Sequence, residues 1–171
     1  MITRSTFDRY IKLAKAGFSL VLFLVNTFAY SLSVQMFSST GTPLGSIYFE
    51  NTKYGLLITP KLTKLPVGLH GFHIHQHPSC DDKGMSAGGH FDPANTLHHL
   101  GPYGEGHLGD SPLLAVNSGG EANTPILAPR LQVDTLIGHA IMIHEGGDNY
   151  SDTPPLGGGG TRIGCGKIPL N

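Results

Sequence analysis

After residue 30, no window of this chain repeats apolar side chains at the three-to-four spacing of an amphipathic helix. Short runs that alternate or cluster apolar residues take its place, at 31–36, 45–49, 55–58, 68–75, 113–116 and 138–144. Pro, Gly, Asn and Asp separate them, residues that break strands and build turns. The chain holds 24 Gly and 12 Pro, enough to punctuate many short strands. This pattern predicts an all-β sandwich or barrel in one mature domain, without internal repeats. A further C-terminal strand is expected around Cys165. Two stretches break the rhythm. Residues 76–111 carry five histidines, and residues 145–161 are rich in Gly and Pro, ending in four consecutive glycines at 157–160. Loops of that length in a compact domain usually carry function.

Charge narrows the classes further. Only 13% of residues are charged and the formal charge is -1, which excludes a basic, sequence-indifferent nucleic-acid binder. A hydrophobic share of 39% excludes a charged, disordered chain. The first 29 residues read as a secretory signal peptide: Arg4, Arg9, Lys12 and Lys15 precede a short apolar run that ends at Thr27-Phe28-Ala29. The run is shorter than the roughly 20 apolar residues of a comfortable membrane span, although an uncleaved anchor is the alternative. The expected division is therefore a leader over 1–29 and a single domain over 30–171, exported to the periplasm or secreted, with no membrane association after cleavage. Removing the leader leaves 7 basic and 11 acidic residues, a formal charge of -4. Cys80 and Cys165 are an even pair in an exported chain, and neither belongs to a Cys-x-x-Cys motif. A structural disulfide is the favoured reading and a metal or redox pair the alternative.

Ten histidines in so short a chain are the chemical outlier. In His73-Ile74-His75 the two imidazoles sit at i and i+2, so a strand projects both from one face while Phe72 and Ile74 turn to the other. His144 ends another apolar run with Ala140 and Met142 on its face. The long loop adds His90, His98, His99, His107 and Asp110, and a turn can fold His107 and Asp110 onto one ion. Imidazole suits copper and zinc, and a carboxylate suits zinc. These donors suffice for one or two transition metals on a β-domain.

Six segments also occur in a familiar order. They are Gly71-Phe72-His73-Ile74-His75, Gly88-Gly89-His90-Phe91-Asp92-Pro93, His107-Leu108-Gly109-Asp110, Met142-Ile143-His144-Glu145-Gly146-Gly147-Asp148, Gly157 to Gly160, and Arg162-Ile163-Gly164-Cys165-Gly166. Together they resemble the copper,zinc superoxide dismutase family, its bacterial secreted branch in particular, over about residues 32 to 168. The resemblance implies an eight-stranded antiparallel Greek-key barrel, a flattened sandwich whose metal site is closed by the two long loops. It implies one copper held by His73, His75, His90 and His144, and one zinc held by His90, His99, His107 and Asp110. His90 would bridge the two ions. Asp148 would hydrogen-bond one ligand of each ion, Arg162 would draw superoxide in, and Cys80 and Cys165 would form the family's disulfide. Only one of His98 and His99 can match the zinc position, and nine residues counted from His90 favour His99. His70 is expected to be a structural hydrogen-bonder, and His77, His98 and His139 local or solvated.

The implied activity is dismutation of superoxide to dioxygen and hydrogen peroxide, by monomer or homodimer. The alternatives are a non-catalytic copper-binding or copper-delivery protein of the same fold, and a zinc hydrolase. The complete ligand set and Arg162 disfavour the first. A fourth histidine on a second ion disfavours the other.

Overall fold

In the computed structural model, residues 31–168 and Leu170 are described; the leader expected over residues 1–29 lies outside them. Nine strand segments follow in order: β1 (Ser31–Ser38), β2 (Pro43–Thr52), β3 (Gly55–Leu62), β4 (Gly68–His70), β5 (Phe72–His75), β6 (Leu114–Val116), β7 (Ile126–Ala128), β8 (His139–His144) and β9 (Arg162–Ile168). Seven of them form one antiparallel sheet in the order β5-β8-β9-β1-β2-β3-β7, curled into a half-barrel. β4 and β6 pair as a separate ribbon. The fold is thus all-β and antiparallel, as expected. Among the described residues its helical content is three short 3-10 segments, Asp82–Ala87, Val133–Leu136 and Pro155–Gly158. Among the described residues no helix is long and apolar enough to cross a membrane.

Alternation decides which face of each strand turns inward. In β1, Val34 and Met36 are buried while Ser33 and Gln35 are exposed. In β2, Ile47 and Phe49 point inward, and Tyr48 and Glu50 outward. The inward set joins Leu56, Ile58, Phe72, Ile74, Ile141 and Ile143 in one core. Each fully buried aliphatic or aromatic side chain of this kind stabilises the fold by roughly 1.5–3 kcal/mol. β8 departs from alternation because both of its faces are covered. Ile141 and Ile143 face the main core, while Ala140 and Met142 pack with Ala87 and Cys165 in a smaller cluster.

One expected strand is split. Residues 68–75 read as one run, but the chain changes sheets at Gly71: His70 pairs with Leu114 of β6, and Phe72 pairs with Ile143 of β8. Glycine is needed there for close approach. A Cβ at Gly71 would stand 3.1 Å from the His73 ring and 3.4 Å from the Cβ of His144. The split accounts for nine segments where eight strands are implied. The Ile126–Ala128 strand went unpredicted; three residues bounded by Pro125 and Pro129 show no readable period.

The switch at Gly71 sets up the site. β5 and β8 run antiparallel with His73 opposite Met142 and His75 opposite Ala140. β8 and β9 place His144 opposite Arg162 after a register shift between Ile143 and His144.

Candidate metal centre

The imidazoles of His73 and His75 leave the outer face of β5, as the i, i+2 spacing requires. The long loop returns across that face. Isolated backbone bridges set His90 opposite His75 and Asp110 opposite His73. Ile74 donates its N–H to Gly109 O (2.9 Å), and Phe91 N–H donates to Ile74 O (2.8 Å). His107 N–H donates to His98 O at 2.9 Å. With the pairing of β5 and β8, these contacts bring residues up to 71 positions apart onto one wall, from His73 to His144.

Three groups of donors result; the third, His73, His99 and Asp148, is closed on itself by the two hydrogen bonds of Asp148, and the other two stay open. His73, His75, His90 and His144 form one, and His90, His99, His107 and Asp110 the other; within each group the ligand atoms lie within 4.8 Å of one another. All seven residues are buried. Six ring nitrogens have no hydrogen-bond partner: His73 Nδ1, His75 Nε2, His90 Nε2, His99 Nδ1, His107 Nδ1 and His144 Nε2. Buried polar atoms are rarely left so, because each unpaired one costs roughly 1–3 kcal/mol. Six at one place, aimed at two points, fit two bound cations and little else. His90 belongs to both groups by different atoms. Its Nδ1 stands 2.9 Å from Asp110 Oδ1, while Nε2 is free for the other group. His99 Nδ1 and His107 Nδ1 lie 3.0 and 3.5 Å from the same Oδ1. Neither is aligned as a hydrogen bond, so this oxygen and three nitrogens converge as ligands do.

The opposite ring nitrogens are held by the protein. His73 Nε2 bonds Asp148 Oδ2 at 2.7 Å, and His99 Nε2 bonds Asp148 Oδ1 at 2.8 Å. His75 Nδ1 bonds Gly88 O at 3.0 Å, and His144 Nδ1 bonds Gly160 O at 3.2 Å. Such partners fix tautomer and ring direction. Gly157, with a φ of +70°, gives Asp148 its room: a Cβ there would collide with Asp148 Oδ1.

Titration follows the same division. Burial lowers His73 to about 3, against the pull of Asp148. Burial, with the neighbouring His90, lowers His75 to about 2. Burial lowers His144 to about 4, and lowers His90 too. These rings are neutral at pH 7, with a lone pair ready for a metal. His99 goes the other way. Burial opposes its protonation, but the carboxylates of Asp110 and Asp148 outweigh burial and raise it to about 9. Burial likewise works against ionised Asp110 and Asp148, but their histidine partners hold both well below the ordinary carboxylate range. That pocket attracts positive charge before any ion arrives.

Arg162 is fixed by two carbonyls, donating to Gly84 O at 2.5 Å and Gly88 O at 2.7 Å. Gly88 O therefore serves both Arg162 and His75. The segment carrying these carbonyls begins at Cys80, which is disulfide-bonded to Cys165 of β9. A cavity of about 570 Å³ opens onto His144 and Arg162, lined also by Lys83, Met85, Pro155 and Leu156. Lys83 is the one lysine among this cavity's lining residues.

The remaining histidines fall outside both groups. The two ring nitrogens of His70 each lie 2.8 Å from a backbone carbonyl, of His144 and Pro66. His139 lies against Phe91, with ring centroids 4.0 Å apart and the planes tilted by 37°. His77 is exposed. His98 turns its ring to Asp152 and away from the donors. Sequence reasoning missed three supports. Tyr150 donates its N–H to Asp148 Oδ1 (2.7 Å), and its hydroxyl accepts from Leu113 N–H (3.1 Å). Asp152 accepts from His99 N–H (2.7 Å). Arg130 donates to Gly106 O (2.9 Å) and His107 O (3.3 Å). The Tyr150 hydroxyl, Asp152 and Arg130 have no readable signal, because each meets backbone groups far off in sequence, and the Tyr150 N–H is itself a backbone group.

The chain is similar to known proteins of one family. The family model for copper/zinc superoxide dismutase matches residues 44–168. A copper-zinc superoxide dismutase of Legionella pneumophila is 51% identical over 150 residues, spanning 86% of this chain and 93% of the relative. The structure of a Cu/Zn superoxide dismutase from Brucella abortus superposes with a TM-score of 0.76 at 42% identity, covering 81% of this chain and 99% of that one. The solution structure of a monomeric copper, zinc superoxide dismutase from Salmonella enterica gives 0.71 at 48% identity, with the same coverage.

Proposed function

Since this chain belongs to the copper/zinc superoxide dismutase family, we propose that His73, His75, His90 and His144 hold its copper, and that His90, His99, His107 and Asp110 hold its zinc. The enzyme dismutes superoxide to dioxygen and hydrogen peroxide, with copper and zinc as its metals. The observation that carries the residue assignment is the division of unpartnered imidazole nitrogens between two groups sharing His90. When bound, copper supplies the one-electron shuttle between two superoxide ions, and zinc supplies a fixed charge that changes no oxidation state.

The chain's own residues do the rest. Arg162, pinned by Gly84 and Gly88, presents a fixed cation in the cavity that His144 also lines. A positive group in a confined cleft focuses field and speeds the arrival of a small anion. His90 is placed to hold at Nε2 a proton that the departing peroxide needs, while Nδ1 stays engaged beside Asp110. Asp148 keeps the rings of His73 and His99 in fixed directions. No partly degraded ligand set is present, which disfavours a copper-delivery protein without catalysis.

Export belongs to the same reading. Residues 1–29 act as a signal peptide, and residues 30–171 are the mature periplasmic or secreted domain. The Cys80–Cys165 disulfide supports this, because the cytosol keeps thiols reduced. A homodimer is the further part of this reading; sedimentation analysis distinguishes it from a monomer.

Metal analysis by mass spectrometry with a superoxide assay on the mature protein tests the reading. One copper and one zinc per chain with full activity are expected; zinc alone with hydrolytic activity overturns it. Arg162→Ala is expected to keep both metals and lose roughly tenfold in kcat/KM at low salt. The deficit should shrink as salt rises, because the screening length falls from about 30 Å at 0.01 M to about 8 Å at 0.15 M. Equal rates at low salt would remove Arg162 from the steering role.

A further inference from the structure

The peptide unit between His98 and His99 is held at both ends. Its carbonyl, His98 O, accepts from His107 N–H at 2.9 Å. Its N–H, on His99, donates to Asp152 Oδ1 at 2.7 Å. One end is thus tied to another metal-ligand residue and the other to the glycine-rich second loop. The orientation of this peptide plane sets where the His99 ring starts. The far end of that ring is fixed by Asp148, whose Oδ1 also takes the N–H of Tyr150. The five residues 148–152 therefore grip His99 twice, at its ring and at its backbone. The approach to His99 is irregular: Asn95 and Leu97 have φ of 52° and 60°, so no ladder neighbour serves this N–H.

We propose that Asp152 is a positioning residue for zinc. It holds the main chain of His99 so that Nδ1 meets Asp110 and His107 without rearrangement. This rests on the reading of His99 as a zinc ligand. The second arm of Asp152, from Oδ2 to His98 Nδ1 at 2.8 Å, lies in solvent, with the two side chains 48% and 64% exposed. Exposed pairs contribute little. The working arm is the buried-side bond to the backbone, so replacing His98 leaves the function of Asp152 intact.

The test uses the mature, copper-loaded chain depleted of zinc, titrated with Zn²⁺ against a chromophoric chelator. The partners of metal ligands are typically worth 10–100-fold in affinity. Asp152→Ala is expected to raise the zinc dissociation constant about tenfold, near the low end because the ring contact of Asp148 survives. Asp152→Asn keeps an oxygen acceptor and should stay within about threefold of the parent, and His98→Ala within about twofold. With Co²⁺ in the zinc position, the visible absorption bands should shift in Asp152→Ala and return in Asp152→Asn. His99→Ala in the same assay is the control for the underlying reading. If the parent binds no zinc, or His99→Ala binds it as the parent does, the ligand assignment fails. If His99→Ala loses zinc while Asp152→Ala stays within twofold, the positioning role alone is overturned. An unshifted Co²⁺ spectrum with an equal fall in melting temperature with and without metal also overturns it, since that marks a purely structural part.

Discussion

His90→Ala should fold, keep three donors at each metal position, and lose at least about 100-fold in superoxide dismutation; even the supporting partners of metal ligands are worth 10–100-fold. His73, His75 and His144 stay on one side, and His99, His107 and Asp110 on the other. Each metal can therefore still bind, more weakly, while the two positions lose their only common residue. Two contacts go at once. The proton site at Nε2 disappears, and Asp110 loses a partner 2.9 Å away. No other histidine can take over, since His90 alone belongs to both histidine-rich groups opposite His75. The check is metal content and activity side by side, with circular dichroism to show the fold. A folded variant carrying both metals and working within threefold of the parent would overturn the shared-ring reading. Any residual activity should also lose its dependence on zinc, because the two sites would no longer meet through one ring.

What was legible in the sequence is what local geometry determines. His73 and His75 had to share a face because strand period is two, and they do. The end of β8 had to present His144 with Ala140 and Met142. The switch of sheets at Gly71 was not legible. Its cause is the nearness of the His73 ring and His144, a tertiary fact with no local mark. The roles of Asp148 and Arg162 are implied by the family resemblance alone, and the structure shows the contacts those roles would use. One carboxylate spans two rings, and two carbonyls pin a guanidinium. His98 and His99 could not be separated by residue type. The structure brings the His99 ring into the buried donor group and leaves His98 at 64% side-chain exposure. The Tyr150 hydroxyl, Asp152 and Arg130 were invisible because they meet backbone groups, and a backbone group looks the same at every residue.

Removing the disulfide, as Cys80→Ala with Cys165→Ala, should have the largest effect on stability and a second effect on catalysis. The bond closes a loop of 85 residues. The chain-entropy model gives about 4.5 kcal/mol for a loop of that size, an upper figure since part of the mechanism is disputed. For a domain this large, each kcal/mol moves the melting temperature by about 2–4 °C, so a fall of roughly 10–15 °C is expected. Alanine is chosen over serine because Cys165 sits in an apolar cluster with Ala87, Ala140 and Met142, where alanine adds no polar atom to desolvate. Both forms must carry the same metals, since bound ions add stability by mass action. The catalytic effect has a separate route. Cys80 heads the segment whose Gly84 and Gly88 carbonyls receive Arg162, and Cys165 anchors the strand that carries Arg162 itself. Once the tether is gone, segment 80–88 is free to separate from β9, and the guanidinium loses its fixed place at the cavity. Well below its melting temperature, the variant should therefore reproduce the salt-dependent deficit of Arg162→Ala. A melting temperature within about 3 °C of the parent would refute the entropic account. A large fall in stability with normal low-salt kinetics would refute the link to Arg162, leaving the cross-link a purely structural one.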